Sequence, residues 1–105
     1  MNLNYFKQTR ILDGGMGQEL LARGMKPNGT LWSANALLDK DYHQLLLDTH
    51  RDFVKAGAEV IVTTTFTARR KRLRENNVEE KFEYLNKKAG EIALAVKKEF
   101  PNILV

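Results

Sequence analysis

Asp13 is followed by Gly14, Gly15 and Gly17, three glycines within four positions, and the chain then runs into the helix-forming residues Gln18, Glu19 and Leu20. Ile11 and Leu12 lead into the carboxylate. These types in this order describe a strand ending on a carboxylate, a tight turn of exposed backbone amides, and a helix start. Residues without a Cβ let a ligand approach the main chain and let φ become positive. Amides at a helix start suit an anionic group. The same pattern also describes a turn with no ligand, so its meaning depends on the rest of the chain.

Other chemically capable residues are few. The chain has no Cys, which removes disulfides, redox pairs and thiolate metal ligands. His43 and His50 stand seven residues apart on one expected helix, too far for the i, i+4 metal pair. Arg69, Arg70, Lys71, Arg72 and Arg74 place five cations in six positions. With no interleaved aromatic and a net charge of only +4, they read as a solvated helix face paired with Glu75, Glu79 and Glu80, and not as a nucleic-acid patch.

The elements that must position the turn follow from periodicity. Residues 1–10 are a polar lead-in. Ile11–Asp13 reads as a short buried strand, and Gly17–Arg23 as a short helix stopped by Gly24. Met25–Thr30 is a loop by its Pro and Asn-Gly, and Leu31–Ala34 shows no clear period. A helix is expected from about Asp41 to Ala56, with Tyr42, Leu45, Leu46, Thr49, Phe53 and Ala56 on one stripe and Gly57 at its end. Ala58–Phe66 is β-branched and reads as a strand covered on both faces. Ala68–Asn76 is a short basic helix. The longest helix runs from about Glu79 to Phe100, and Ile103–Val105 begins a third strand after Pro101-Asn102.

At 105 residues, with 43% hydrophobic and 29% charged residues, the chain has the composition of one soluble globular unit. It shows neither a membrane-length apolar run nor a secretory leader, so the expected location is cytoplasmic. The order of elements predicts an α/β fold with about three parallel strands and flanking helices. An open doubly wound sheet and the first part of a (β/α)8 barrel both fit, and in both the strand ends carrying Asp13 and Thr63–Thr65 would form the site.

Four segments taken together are more specific. Asp13-Gly14-Gly15-Met16-Gly17 with Glu19-Leu20, Leu31-Trp32-Ser33-Ala34, His50 with Phe53 and Ala56-Gly57-Ala58, and Thr64-Thr65-Phe66-Thr67-Ala68 resemble the homocysteine S-methyltransferase family in order and spacing. The resemblance runs from Ile11 onward. It implies the N-terminal part of a (β/α)8 TIM barrel, with residues 11–105 an incomplete homocysteine-binding domain, since the complete barrel needs roughly 250 residues. It implies methyl transfer to the sulfur of homocysteine, giving methionine, from a donor that varies among members. In the complete family enzyme a Zn2+ ion held by cysteines of later strands binds the thiolate. This chain carries none of those cysteines and is expected to bind no zinc by itself.

By the same resemblance the substrate-binding residues are Asp13, accepting from the substrate ammonium, the Gly14, Gly15 and Met16 backbone at its carboxylate, Trp32 over the site mouth, and Thr64. The threonine run departs from the family at Thr64, where many members carry Asn. Glu19 is read as stabilising the turn. The partners implied are homocysteine and a methyl donor, with no nucleic acid and no membrane. Open sheet edges would favour self-association. Two other readings fit the same residues: a small α/β module that binds an amino acid or anion at Asp13–Gly17 without catalysis, and a fragment completed by a partner chain.

Overall fold

The computed structural model describes residues 3–105. A 3-10 turn, Leu3–Lys7, lies within the lead-in. Helix α1 spans Met16–Ala22. A 3-10 turn, Trp32–Ala34, runs directly into the short helix α2, Asn35–Leu38. Another, Lys40–Tyr42, opens helix α3, His43–Lys55. Helix α4 is Arg70–Glu75. A last 3-10 turn, Glu79–Lys81, leads into α5, Phe82–Glu99.

The long helices form where apolar residues recur at helical spacing, and their apolar stripes face each other. Helix α3 packs against α5; it buries Leu46, Thr49 and His50, and α5 buries Leu85, Ala89, Ile92, Ala93 and Val96. Each large aliphatic side chain removed from water there contributes about 1.5–3 kcal/mol. Ala89 and Ala93 are fully buried, small enough to let the helices approach. One apolar cluster joins α1, α2, α3, α4 and the first half of α5 through Leu20, Leu37, Leu46, Leu73 and Leu85. A second gathers Ala58, Ile61, Ala93, Val96 and Ile103 around the end of α5.

Helix ends are closed by one repeated device. The Ala58 N–H donates to Phe53 O at 3.0 Å and the Gly57 N–H to Val54 O at 3.0 Å, which satisfies the last carbonyls of α3. Gly57 sits at φ +120°, a conformation that side-chain-bearing residues rarely adopt. Equivalent pairs of bonds close α1 through Gly24 and Met25, and α4 through Asn77 and Val78. At the other end, the Asp39 carboxylate accepts from the Asp41 N–H at 2.9 Å and caps the turn that opens α3.

The expected sheet is not there. Among the described residues no strand forms, and the α/β fold class with about three parallel strands, and with it the barrel portion, is overturned. Three segments do meet, side by side, at two isolated parallel bridges, Leu12 to Val60 and Val60 to Leu104. The Val60 N–H donates to Ile11 O at 3.2 Å and the Asp13 N–H to Val60 O at 3.0 Å. On the other side the Leu104 N–H donates to Glu59 O at 3.0 Å and the Ile61 N–H to Leu104 O at 2.9 Å.

The ladder stops for local reasons. Its next bond would run from the Val62 N–H to the main-chain carbonyl of Asp13; instead that N–H donates to the Asp13 side chain, Oδ2, at 3.1 Å. Three residues on, the Thr65 N–H donates to Thr63 O at 2.8 Å, a tight reversal incompatible with a continuing strand. The Thr63 and Thr65 hydroxyls lie 3.2 Å apart across that reversal. The edges expected to drive self-association are thus reduced, among the described residues, to single bridges.

Candidate functional site

A cavity of about 590 Å³ opens beside these bridges, lined by Asp13, Gly14, Gly15, Met16, Trp32 and Thr64 together with Leu12, Gly17, Ser33, Val62, Phe66, Thr67 and Arg72. All six residues singled out in the sequence line this one space, although Asp13, Trp32 and Thr64 come from three separate parts of the chain.

Asp13 is held from both ends. Its N–H is bonded to Val60 O, and its Oδ2 accepts from the Val62 N–H. Burial pushes its carboxyl above the ordinary carboxylate value, opposed by the bonds from the Val62 and Asp13 main-chain N–H groups. Gly14 passes so close to α3 that a Cβ there would stand 3.0 Å from Cε1 of Phe53, which explains the missing side chain by close approach. The positive φ expected of these glycines is absent: Gly14, Gly15 and Gly17 are not among the residues with that geometry.

Gly15 is the N-cap of α1 and gives it no side-chain cap. The first-turn amides of a helix have no intrahelical acceptor, and here those of Met16 and Gly17 belong to residues of the cavity wall. Glu19 accepts from Arg23 Nε at 3.0 Å, so its partner is the C-cap residue of its own helix.

Trp32 stands half-exposed over the cavity, at φ 51°. That left-handed backbone is uncommon for a bulky residue and carries strain. Thr67 clamps the same segment: its hydroxyl donates to Leu31 O at 2.6 Å and accepts from the Ala34 N–H at 3.1 Å. Thr64 is buried, with Oγ1 3.3 Å from Nε2 of His50. His50 is fully buried on α3, and desolvation lowers its pKa to about 4.

The sequence assigned no site role to Thr67, His50 or Arg72. The first two stand in segments that carry the family resemblance, but nothing local marks them as neighbours of the site. Arg72 was read with its neighbours as a solvated face, yet it lines the cavity, with Nη1 donating to Thr30 O at 2.8 Å. Three other cations of the run are engaged locally: Arg74 pairs with Glu79 at 2.9 Å, Arg70 lies over the Phe82 ring and Arg69 over Phe66. Among the described residues no three His, Cys, Asp or Glu side chains are grouped to hold a metal ion. The cavity wall offers one carboxylate and neither thiol nor imidazole, a donor set that does not fit zinc. No helix among the described residues is long and apolar enough to cross a membrane.

A family model described as homocysteine S-methyltransferase matches residues 10–105. The chain is 36% identical over 91 residues to homocysteine S-methyltransferase 2 of Zea mays, covering 86% of this chain and 26% of that protein. It is 32% identical over 78 residues to homocysteine S-methyltransferase 2 of Saccharomyces cerevisiae, covering 67% and 24% of the two chains. It is 34% identical over 61 residues to a selenocysteine methyltransferase of Astragalus bisulcatus, covering 58% and 18%. The chain thus spans about a quarter or less of the length of these relatives. No solved structure matches it significantly.

Proposed function

The chain belongs to the homocysteine S-methyltransferase family, and from that premise we propose that its cavity grips the amino-acid end of homocysteine during methyl transfer to the sulfur. One observation carries this reading. Asp13 and the residues of the first turn of α1, which has no side-chain cap, line the same cavity, so a carboxylate and a set of N–H donors belong to one wall. An α-amino acid brings the complementary pair, an ammonium and a carboxylate. Relatives named for homocysteine and for selenocysteine differ in the reacting atom and share that pair.

In this reading Asp13 accepts from the ammonium, and the amides of Gly14, Gly15 and Met16 donate to the carboxylate. Trp32 covers the ligand and excludes water, and Thr64 adds a hydroxyl to the wall. The contribution to the reaction is positional. Fixing the amino-acid end fixes where the sulfur lies, so that it can meet the methyl carbon in line with the departing group. A free thiol is mostly protonated at neutral pH, and the one cation of the cavity wall, Arg72, is already bonded to Thr30 O. In this reading deprotonation falls to groups outside this wall.

Calorimetric titration with L-homocysteine under reducing conditions tests the reading. Asp13→Asn should weaken binding ten-fold or more, since a charge-assisted hydrogen bond contributes about 1.5–3 kcal/mol. 4-Mercaptobutyrate, which lacks the ammonium, should bind the wild type as weakly as homocysteine binds the variant. Equal affinity of wild type and variant for homocysteine would refute the assignment.

A further inference from the structure

Among the described residues, His50 is the one buried titratable group that the site has not used, and its surroundings are specific. Its ring is fully buried on α3, Nε2 lies 3.3 Å from Thr64 Oγ1, and Nδ1 is buried without a hydrogen-bond partner. Thr64 is itself a wall residue of the cavity.

A neutral imidazole carries its hydrogen on one nitrogen only. If Nδ1 carried it, a buried N–H would be left with no acceptor, an arrangement that folded proteins rarely contain. With the hydrogen on Nε2, the orphaned atom is a bare ring nitrogen and the Nε2–H points at Thr64. A hydroxyl oxygen that accepts keeps its own hydrogen to donate elsewhere. We infer that His50 is a positioning residue: it donates from Nε2 to Thr64 Oγ1 and so commits the Thr64 hydroxyl hydrogen to a carboxylate oxygen of the amino acid in the cavity. The ligand part of this inference rests on the function proposed above; the dyad does not. Desolvation, which keeps the ring neutral well below physiological pH, supports the arrangement. Thr64→Ser would preserve it, whereas a residue unable to accept from Nε2 would break it.

Two measurements decide the matter. Nitrogen-15 NMR of the imidazole in the wild-type chain, without ligand, should show Nε2 protonated and Nδ1 bare. A protonated Nδ1 overturns the inference whatever the chain binds. In homocysteine titrations, His50→Leu and Thr64→Val should each weaken binding about ten-fold, and the double variant should be no weaker than either. His50→Gln, which keeps an amide N–H near the position of Nε2, should restore affinity to within about three-fold of wild type. Additive losses, or a His50→Gln variant as weak as His50→Leu, would refute the coupling. A wild type with the Nε2–H tautomer that binds no homocysteine would remove the amino-acid reading and the ligand part of this inference, and leave the histidine–threonine contact established.

Discussion

At the scale of single residues, the site holds one strained position and one buried base, and each has a measurable consequence. Trp32 adopts φ 51° above the cavity, a conformation costing about 1–3 kcal/mol for a residue with a side chain. Trp32→Gly should leave thermal stability unchanged or raise it while weakening homocysteine binding, because the ring is half-exposed and its loss uncovers little core. A variant that loses both stability and binding would show the ring to be a packing element. For His50 the sign follows from the two states. The ring is neutral in the fold down to a pH of about 4, whereas in the unfolded chain it takes up a proton below about 6.5. Between those values the unfolded state binds more protons, so stability falls as pH drops through that window, by at most about 3 kcal/mol. Asp13 acts in the opposite sense: its raised carboxyl favours the fold at low pH and loses that contribution as pH rises through its folded value. Urea unfolding of wild type and His50→Leu across pH 4–7 should show a steeper dependence in the wild type. The sequence made Asp13 and its glycines conspicuous but misjudged why Gly14 is needed. Contact with Phe53, some forty positions along the chain, leaves no trace in local composition.

At the scale of elements, the helices were readable and the strands were not. The apolar stripes of α3 and α5 recur over several turns, and burial against each other is what that pattern encodes. The run from Val60 to Thr65 has equally strong β character, but such character reports how side chains suit a pleated surface and says nothing about which backbone is available to pair. Here the Asp13 carboxylate takes the Val62 N–H and the chain reverses at Thr63–Thr65. The Trp32–Leu38 segment was missed because a 3-10 turn followed by one helical turn is too short to show a period. Two glycines should separate the roles of helix interior and helix end. Gly90→Ala, within α5 with open space at its Cβ, should stabilise the chain by about 0.5–1 kcal/mol. Gly57→Ala, also with open space but at φ +120°, should destabilise it by about 1–3 kcal/mol. Thermal melts of both variants against wild type measure the difference, and shifts of the same sign would contradict the assigned backbone roles.

At the scale of the whole molecule, α3 and α5 are both shared by the two apolar clusters. Arg51 and Glu99, 2.8 Å apart, tie α3 to the far end of α5, and Lys97 donates to the main-chain oxygen of Ile103. Leu46→Ala should destabilise by about 2–5 kcal/mol, as expected for a fully buried leucine in the larger cluster; a loss under 1 kcal/mol by urea titration would mean that the cluster closes over the gap. The three-way junction at Val60 is built differently from the helices. It joins position 60 to position 12 and position 104, so both of its contacts span more than forty residues and rest on a handful of main-chain bonds. Helices α3 and α5 can nucleate within their own sequence, whereas this junction must wait for two long loops to close. Its timing therefore governs the cavity: the carboxylate of Asp13 reaches its bonded place only once Val62, next to the junction, has arrived, and residue 60 is flanked on both sides only after residue 104 has been synthesised.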